Sequence, residues 1–260
     1  MIGVLGLVAI IVVLAGFMPW GFLHQGSYGS SQPIIWNCLL VLIWGVVHTG
    51  MARPSFKAII IKIIPEPAER PTYVLFAGVT SMALVGFWAL VPGQVWLVEA
   101  SWAVTLLWGL FWFGWVFLLA STFAINHFDL FGLRQVYLHY KKMPEAPLQF
   151  VKRAMYQYVR HPIQTGVLIG VWATPTMSMT QLVLSVGLTV YIVVGLWFEE
   201  RDLIAEHGDE YLEYRDQVGK LFPKIGGVNR PAGIFKLCLS KPTIDARNHS
   251  RLSRDSGRLT

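Results

Sequence analysis

Long apolar runs separated by short polar stretches organise this chain. Four of them, Ile2–Leu23, Ile34–Met51, Tyr73–Val91 and Trp102–Ile125, contain no Lys, Arg, Asp or Glu. Each is about the length of ~20 apolar residues that a membrane-crossing helix needs. The first has no basic flank and is too long for a signal-peptide core, so it reads as a retained helix. Residues Ile163 to Phe198 are also free of charge, but 36 residues exceed one crossing, and the middle reads Ala173-Thr174-Pro175-Thr176-Met177-Ser178-Met179-Thr180. Proline and small hydroxyl residues break a helix there. The pattern therefore predicts an all-α, polytopic integral membrane bundle of about six transmembrane helices. Spans are expected near 2–23, 34–51, 73–91, 102–125, 163–176 and 181–198, the last two forming a tight helical hairpin followed by a cytoplasmic C-terminal helical segment.

Composition agrees with a bilayer as solvent. Only 14% of residues are charged against 54% hydrophobic, with a mean hydropathy of +0.51, whereas a soluble domain carries about 25% charged residues. The net charge of +6 does not point to nucleic acid, because the basic residues lie between and after the apolar runs rather than in a patch. Lys and Arg number zero in 24–33, four in 52–72, zero in 92–101, six in 126–162, zero in 173–180 and eleven in 199–260. Basic residues collect in cytoplasmic loops, so this alternation predicts six crossings with both termini cytoplasmic. Residues 1–230 read as a single membrane domain, and 231–260 as a flexible basic tail that has little to bury and can touch anionic headgroups. Cys38 and Cys238 lie far apart and match no disulfide or zinc spacing. The histidines at 24, 48, 127, 139, 161, 207 and 249 lack the i, i+3 or i, i+4 pairing of a helical ligand set, so no metal is expected.

Ionisable groups beside a membrane are costly, and clusters at span ends on one side are natural places for a site. Three such clusters face the predicted cytoplasmic side: His48 to Arg70, Asn126 to Arg134 with Tyr156 to His161, and Glu199 to Tyr214. In Tyr156-Gln157-Tyr158-Val159-Arg160-His161-Pro162, proline at the first helical turn pre-sets the fifth span, leaving Arg160 and His161 just ahead of a helix N-terminus that attracts anions. A tight hairpin would return Glu199 and Glu200 to the same level. An acidic pair then meets a basic pair, an arrangement complementary to a zwitterion. The blander alternatives are headgroup anchoring by Arg160 and His161 and a solvated helix carrying Glu–Arg pairs.

At these residues the sequence resembles the isoprenylcysteine carboxyl methyltransferase and phospholipid methyltransferase group of membrane enzymes. The shared elements are Tyr156 with Arg160-His161-Pro162, then Glu199-Glu200, then Gly208-Asp209-Glu210-Tyr211-Leu212-Glu213-Tyr214. Where the group usually has Tyr two residues after the proline, this chain has Gln164. The resemblance implies a cytosol-facing pocket for S-adenosyl-L-methionine, left as S-adenosyl-L-homocysteine, with Tyr156, Arg160, His161, Glu199 and Glu200 as cofactor residues. The stretches Ser121–Gln135 and Trp172–Met177, with His48 and Arg70-Pro71, are similar to the NnrU-like branch of that group, which implies a bacterial inner-membrane enzyme acting on a small volatile thiol.

A thiolate is the nucleophile in such a transfer, and a thiol of pKa ~8.5 or above is mostly protonated at neutral pH, so a base is expected. His48 closes the second span and Asp129 follows the fourth, which places both at the cytoplasmic boundary. The expectation is that His48 takes the proton with Asp129 as its carboxylate partner, or the reverse, while Arg70 or Arg134 holds the carboxylate. Trp44, Asn126, His127 and Phe128 are candidates for the substrate pocket. Competing readings are a prenylcysteine carboxylate or lipid amine acceptor, a non-catalytic membrane protein or transporter, and simple neutralisation of Arg134 by Asp129.

Overall fold

A computed structural model describes residues 2–23, 32–125, 127–143 and 154–224 of the chain. The helices are α1 (Ile2–Leu14), α2 (Gln32–Ala52), α3 (Pro54–Ile60), α4 (Glu69–Gly86), α5 (Ser101–Ile125), α6 (His127–Leu130), α7 (Leu133–Lys141), α8 (Pro162–Trp172), α9 (Met179–His207) and α10 (Asp209–Gln217). Three of them, α2, α5 and α9, are long and apolar enough to cross a membrane, and α1 and α8 contribute shorter apolar stretches. The protein is an all-α integral membrane protein. The described residues belong to one compact unit, and the predicted tail, 231–260, lies outside them.

Contacts between helices define their directions. Gly6 of α1 meets Gly78 of α4, while Gly21 N, past the end of α1, bonds to Val85 O, so α1 and α4 run the same way. The α2 side chains Asn37 and Trp44 reach Ala89 and Ser81 in reverse order, so α2 is antiparallel to α4. Gly187 lies against Val41 and Gly45 against Tyr191, which makes α2 and α9 parallel. Trp172 Nε1 donates to Thr189 Oγ1 at 3.0 Å and Ser185 Oγ to Val171 O at 2.9 Å, closing α8 and α9 into the predicted antiparallel hairpin.

The tightest pair is α5 with α8. A Cβ on Gly114 would stand 2.7 Å from the Gly166 carbonyl oxygen, and one on Gly166 would stand 2.6 Å from that of Gly114. Small residues let membrane helices approach to backbone contact, and Gly166 and Gly170 form a GxxxG pair for that purpose. Replacing Gly166 by leucine is expected to cost about 1–3 kcal/mol or more through overpacking, read as a lowered thermal unfolding midpoint in detergent. An unchanged midpoint would contradict this packing.

Several predicted boundaries move. The first run, expected as a span over 2–23, is helical only to Leu14, about 20 Å at 1.5 Å per residue. Gly16 takes a left-handed φ of 79° there, and the chain turns back to bond Gly21 and Leu23 to the end of α4. The third run leaves the helix at Phe87, and residues 88–91 continue as non-helical backbone inside the bundle. Such backbone must find partners in a membrane. Asn37, fully buried, donates to Ala89 O and accepts from Ala89 N at 2.8 Å each, and Thr180 Oγ1 does the same for Val91 at 3.0 and 2.9 Å. The fifth run stops at Trp172 rather than 176, because the segment after Pro175 pairs as a strand. β1 (Gln94–Leu97) and β2 (Thr176–Ser178) form an antiparallel ribbon with Trp96 opposite Met177, an addition to the all-α expectation. The last helix runs nine residues beyond its expected end at Phe198 to His207, so both glutamates ride on it.

Candidate active site

The ends of α8 and α9 carry the densest polar network. Pro162 opens α8, and the preceding residues run extended beside 219–221: Arg160 N donates to Gly219 O at 2.8 Å and His161 N to Lys220 O at 3.1 Å. The Arg160 side chain is buried and makes four hydrogen bonds to protein acceptors. Its Nε and Nη2 donate to Glu200 Oε1 at 2.9 and 2.8 Å, and its Nη1 donates to Arg215 O at 2.9 Å and to Val218 O. His161 Nε2 lies 3.2 Å from the same Glu200 oxygen, and Lys220 Nζ stands 3.0 Å from the other. The apolar part of α9 ends at Phe198, so Glu200 lies beyond it. Burial alone would raise the Glu200 carboxyl, but the hydrogen bonds from His161, Arg160 and Lys220 hold it down, at about 2. Tyr214 ties in the α10 end by donating to Tyr156 O at 2.6 Å, and burial raises the Tyr211 hydroxyl to about 12. Glu199 points differently: its nearest basic partner is His161 Nδ1 at 3.7 Å, and its side chain is half exposed.

That half-exposed carboxylate opens on a pocket of about 330 Å³ between α2, α4, α8 and α9, whose wall includes His48, Arg53, Tyr73, Gln164, Tyr191 and Glu199, with Asp202 and Glu206 further along α9. This volume is at the lower end of small-molecule sites. His48 sits on the Trp44 ring at 4.2 Å between centroids, with the rings of Tyr73 and Tyr191 at 6.3 and 6.5 Å. Its Nδ1 lies 3.1 Å from Trp44 O. A carbonyl can only accept, so the neutral ring carries its proton on Nδ1 and keeps the Nε2 lone pair. Arg53 bonds Asp202 at 2.8 Å along the same wall.

A second cavity, about 540 Å³, is lined by Lys57, Glu66, Glu69, Arg70, Asp129 and Gln135 among others. Asp129 is buried there and paired with Arg134, whose Nη1 donates to both carboxylate oxygens at 3.2 and 3.0 Å. Arg70 donates to Leu130 O at 2.9 Å and stacks its guanidinium 5.4 Å from the Tyr73 ring. His48 and Asp129 therefore line different cavities, and the Trp44 carbonyl takes the place expected for a carboxylate on His48. Trp44 is a buried core residue that donates to Ser81 Oγ. His127 stacks on Phe123 with Nδ1 at 2.8 Å from Thr122 Oγ1, Phe128 is exposed, and Asn126 lies outside the described residues. Tyr73, Tyr191 and Arg53 carry no motif signal in the sequence, and Gln164 marks only a departure from one. Among the described residues, no group of three or more His, Cys, Asp or Glu is placed to hold a metal ion.

These helices and this pocket define a polytopic membrane protein with a charged pocket where apolar helices end. The comparisons give the group. The family model described as NnrU protein matches residues 37–228, and the chain belongs to the NnrU family. It is 44% identical over 77% of its length to methanethiol S-methyltransferase of Mycobacterium tuberculosis, of which it covers 82%, and 41% identical over 83% to that of Crocosphaera subtropica, of which it covers 86%. It is also 26% identical to nurim of Sus scrofa over 66% of this chain and 68% of that protein. No solved structure matches the chain.

Proposed function

We propose that this chain methylates the sulfur of methanethiol, with S-adenosyl-L-methionine as donor, giving dimethyl sulfide and S-adenosyl-L-homocysteine. The observation that carries the reading is the single pocket shared by His48, a base with a free Nε2 lone pair, and Glu199. The names of the relatives supply the acceptor.

The pocket's residues fit the donor. Glu199, Asp202 and Glu206 offer negative charge to a sulfonium and an ammonium, the Tyr73 and Tyr191 rings offer π faces to a cation, and Arg53 with Gln164 offers donors to a carboxylate. Bound there, the donor supplies an electrophilic methyl group. His48 Nε2 accepts the thiol proton, and the Trp44 carbonyl fixes the imidazole in the tautomer that can do so. His161 orients Glu199. Arg160, bonded to Glu200 and to the carbonyls of Arg215 and Val218, sets the position of the Glu199–Glu200 turn and thus serves the cofactor indirectly. Tyr156 serves in the same way through its carbonyl. The Asp129–Arg134 pair and Arg70 hold α6 against α4 and so place Tyr73 on the pocket wall. The alternating helix directions and the loop charges support six crossings, with the pocket and both termini on the cytoplasmic face of an inner membrane.

Purified protein given methanethiol and S-adenosylmethionine should release dimethyl sulfide and S-adenosylhomocysteine in equal amounts, measured by headspace gas chromatography and liquid chromatography. Failure to form either would sink the proposal. Glu199→Gln should weaken cofactor binding by about 1.5–3 kcal/mol, the value of a hydrogen bond to a charged group, or roughly ten- to a hundredfold in Kd by calorimetry. Unchanged affinity would remove Glu199 from the cofactor site.

A further inference from the structure

A groove of about 860 Å³ runs between α2 and α9, and none of its lining residues is charged. Its walls are aliphatic, including Leu42, Val46, Val186 and Val190. At one end it shares Thr49, Tyr191 and Gly195 with the His48–Glu199 pocket, so the two spaces adjoin there. At that junction Tyr191 and Thr49 are within side-chain hydrogen-bonding reach. These residues make a polar neck between a charged chamber and an apolar groove that a methyl group alone would not reach.

We infer that the acceptor class extends to primary alkanethiols, with sulfur beside His48 and the hydrocarbon chain passing the neck into the α2–α9 groove. The inference rests on the proposed thiol methylation. An apolar wall without charge accepts a hydrocarbon and rejects a substituent carrying an ammonium or carboxylate, because such a group would be buried unpaired. Alkanethiols therefore fit, whereas cysteine and glutathione do not. The reaction balances as for the smaller thiol: the proton passes to His48 Nε2, and the thiolate sulfur forms a bond to the methyl carbon. The bond from that carbon to the sulfonium donor breaks with both electrons left on the donor's sulfur, giving an alkyl methyl sulfide.

The test compares methanethiol, propanethiol and hexanethiol with purified protein in nanodiscs, together with Leu42→Trp and Val190→Trp in the groove and Leu110→Trp on exposed α5 as a control. In the wild type, kcat/KM on aqueous concentration should rise about two- to fourfold per added methylene, following the transfer of each from water. The hexanethiol-to-methanethiol ratio should fall at least tenfold in both groove variants and hold in the control. The product n-hexyl methyl sulfide should compete with methanethiol in the wild type and more weakly in the groove variants. A ratio equal in all four proteins would mean that partition into lipid sets the preference, which overturns the inference. So would no turnover of hexanethiol beside normal turnover of methanethiol, an outcome that leaves thiol methylation standing. No turnover of either would instead defeat the underlying assignment. Turnover of glutathione or cysteine would also overturn the inference.

Discussion

Replacing His48 with alanine is expected to lower kcat for methanethiol about 10²- to 10⁴-fold at neutral pH, the usual contribution of a positioned base. The reason is the protonation state of the acceptor. A free thiol of pKa ~8.5 or above offers little thiolate at pH 7, and His48 is the one imidazole on the pocket wall, with Nδ1 committed to Trp44 O. The loss should shrink as pH rises, because solvent then supplies the thiolate that the missing base no longer makes. A purely structural role for the ring, which packs between Trp44, Tyr73 and Tyr191, would give a loss independent of pH. The two are separated by a pH–rate profile of His48→Ala beside His48→Gln, with cofactor affinity measured on the same samples. Near-wild-type turnover at pH 7, or a defect that stays constant up to pH 10, would remove His48 as base.

What the sequence revealed follows from the range over which each signal acts. Continuous apolar runs define α2, α5 and the apolar part of α9, because a helix in lipid needs little beyond length and apolarity. Arg160, His161, Glu199 and Glu200 stood out because ionisable groups are scarce at span ends in this chain, and the hairpin that brings them together is itself local; Tyr156 came with the family resemblance. Tyr73 and Tyr191 did not, since aromatic residues on apolar helices look alike until a partner such as His48 is placed beside them. The turn-back after Gly16 and the β1–β2 ribbon depend on backbone partners about 65 to 80 residues away. The expected His48–Asp129 pairing fails for a related reason: both sit at span ends, but span ends around a bundle occupy a ring, and sharing a level does not make them neighbours.

The second large effect falls on stability, at the Arg160–Glu200 pair. Both side chains are largely buried, 7% and 13% exposed, and removing one partner of such a pair leaves an uncompensated charge, at a cost of about 3–5 kcal/mol. Glu200→Leu should therefore destabilise the protein by about that amount, seen as a lower thermal unfolding midpoint and as faster tryptic cleavage after Lys220, whose amine also loses its 3.0 Å contact. Arg160→Leu should release the 215–221 segment as well, because the carbonyls of Arg215 and Val218 lose their donor. The double variant Arg160→Leu/Glu200→Leu should be more stable than Glu200→Leu alone, since the buried guanidinium is no longer left without its carboxylate. The pH dependence has a definite sign. The folded Glu200 carboxyl, at about 2, lies below its unfolded value, so its stabilisation is complete above the ordinary carboxylate range and is lost as pH falls through that range toward about 2. Over that interval the wild type should lose stability more steeply than Glu200→Gln, which has no proton to take up. Parallel pH curves, or a Glu200→Leu variant as stable as the wild type, would show that the pair does not hold this end of the molecule together.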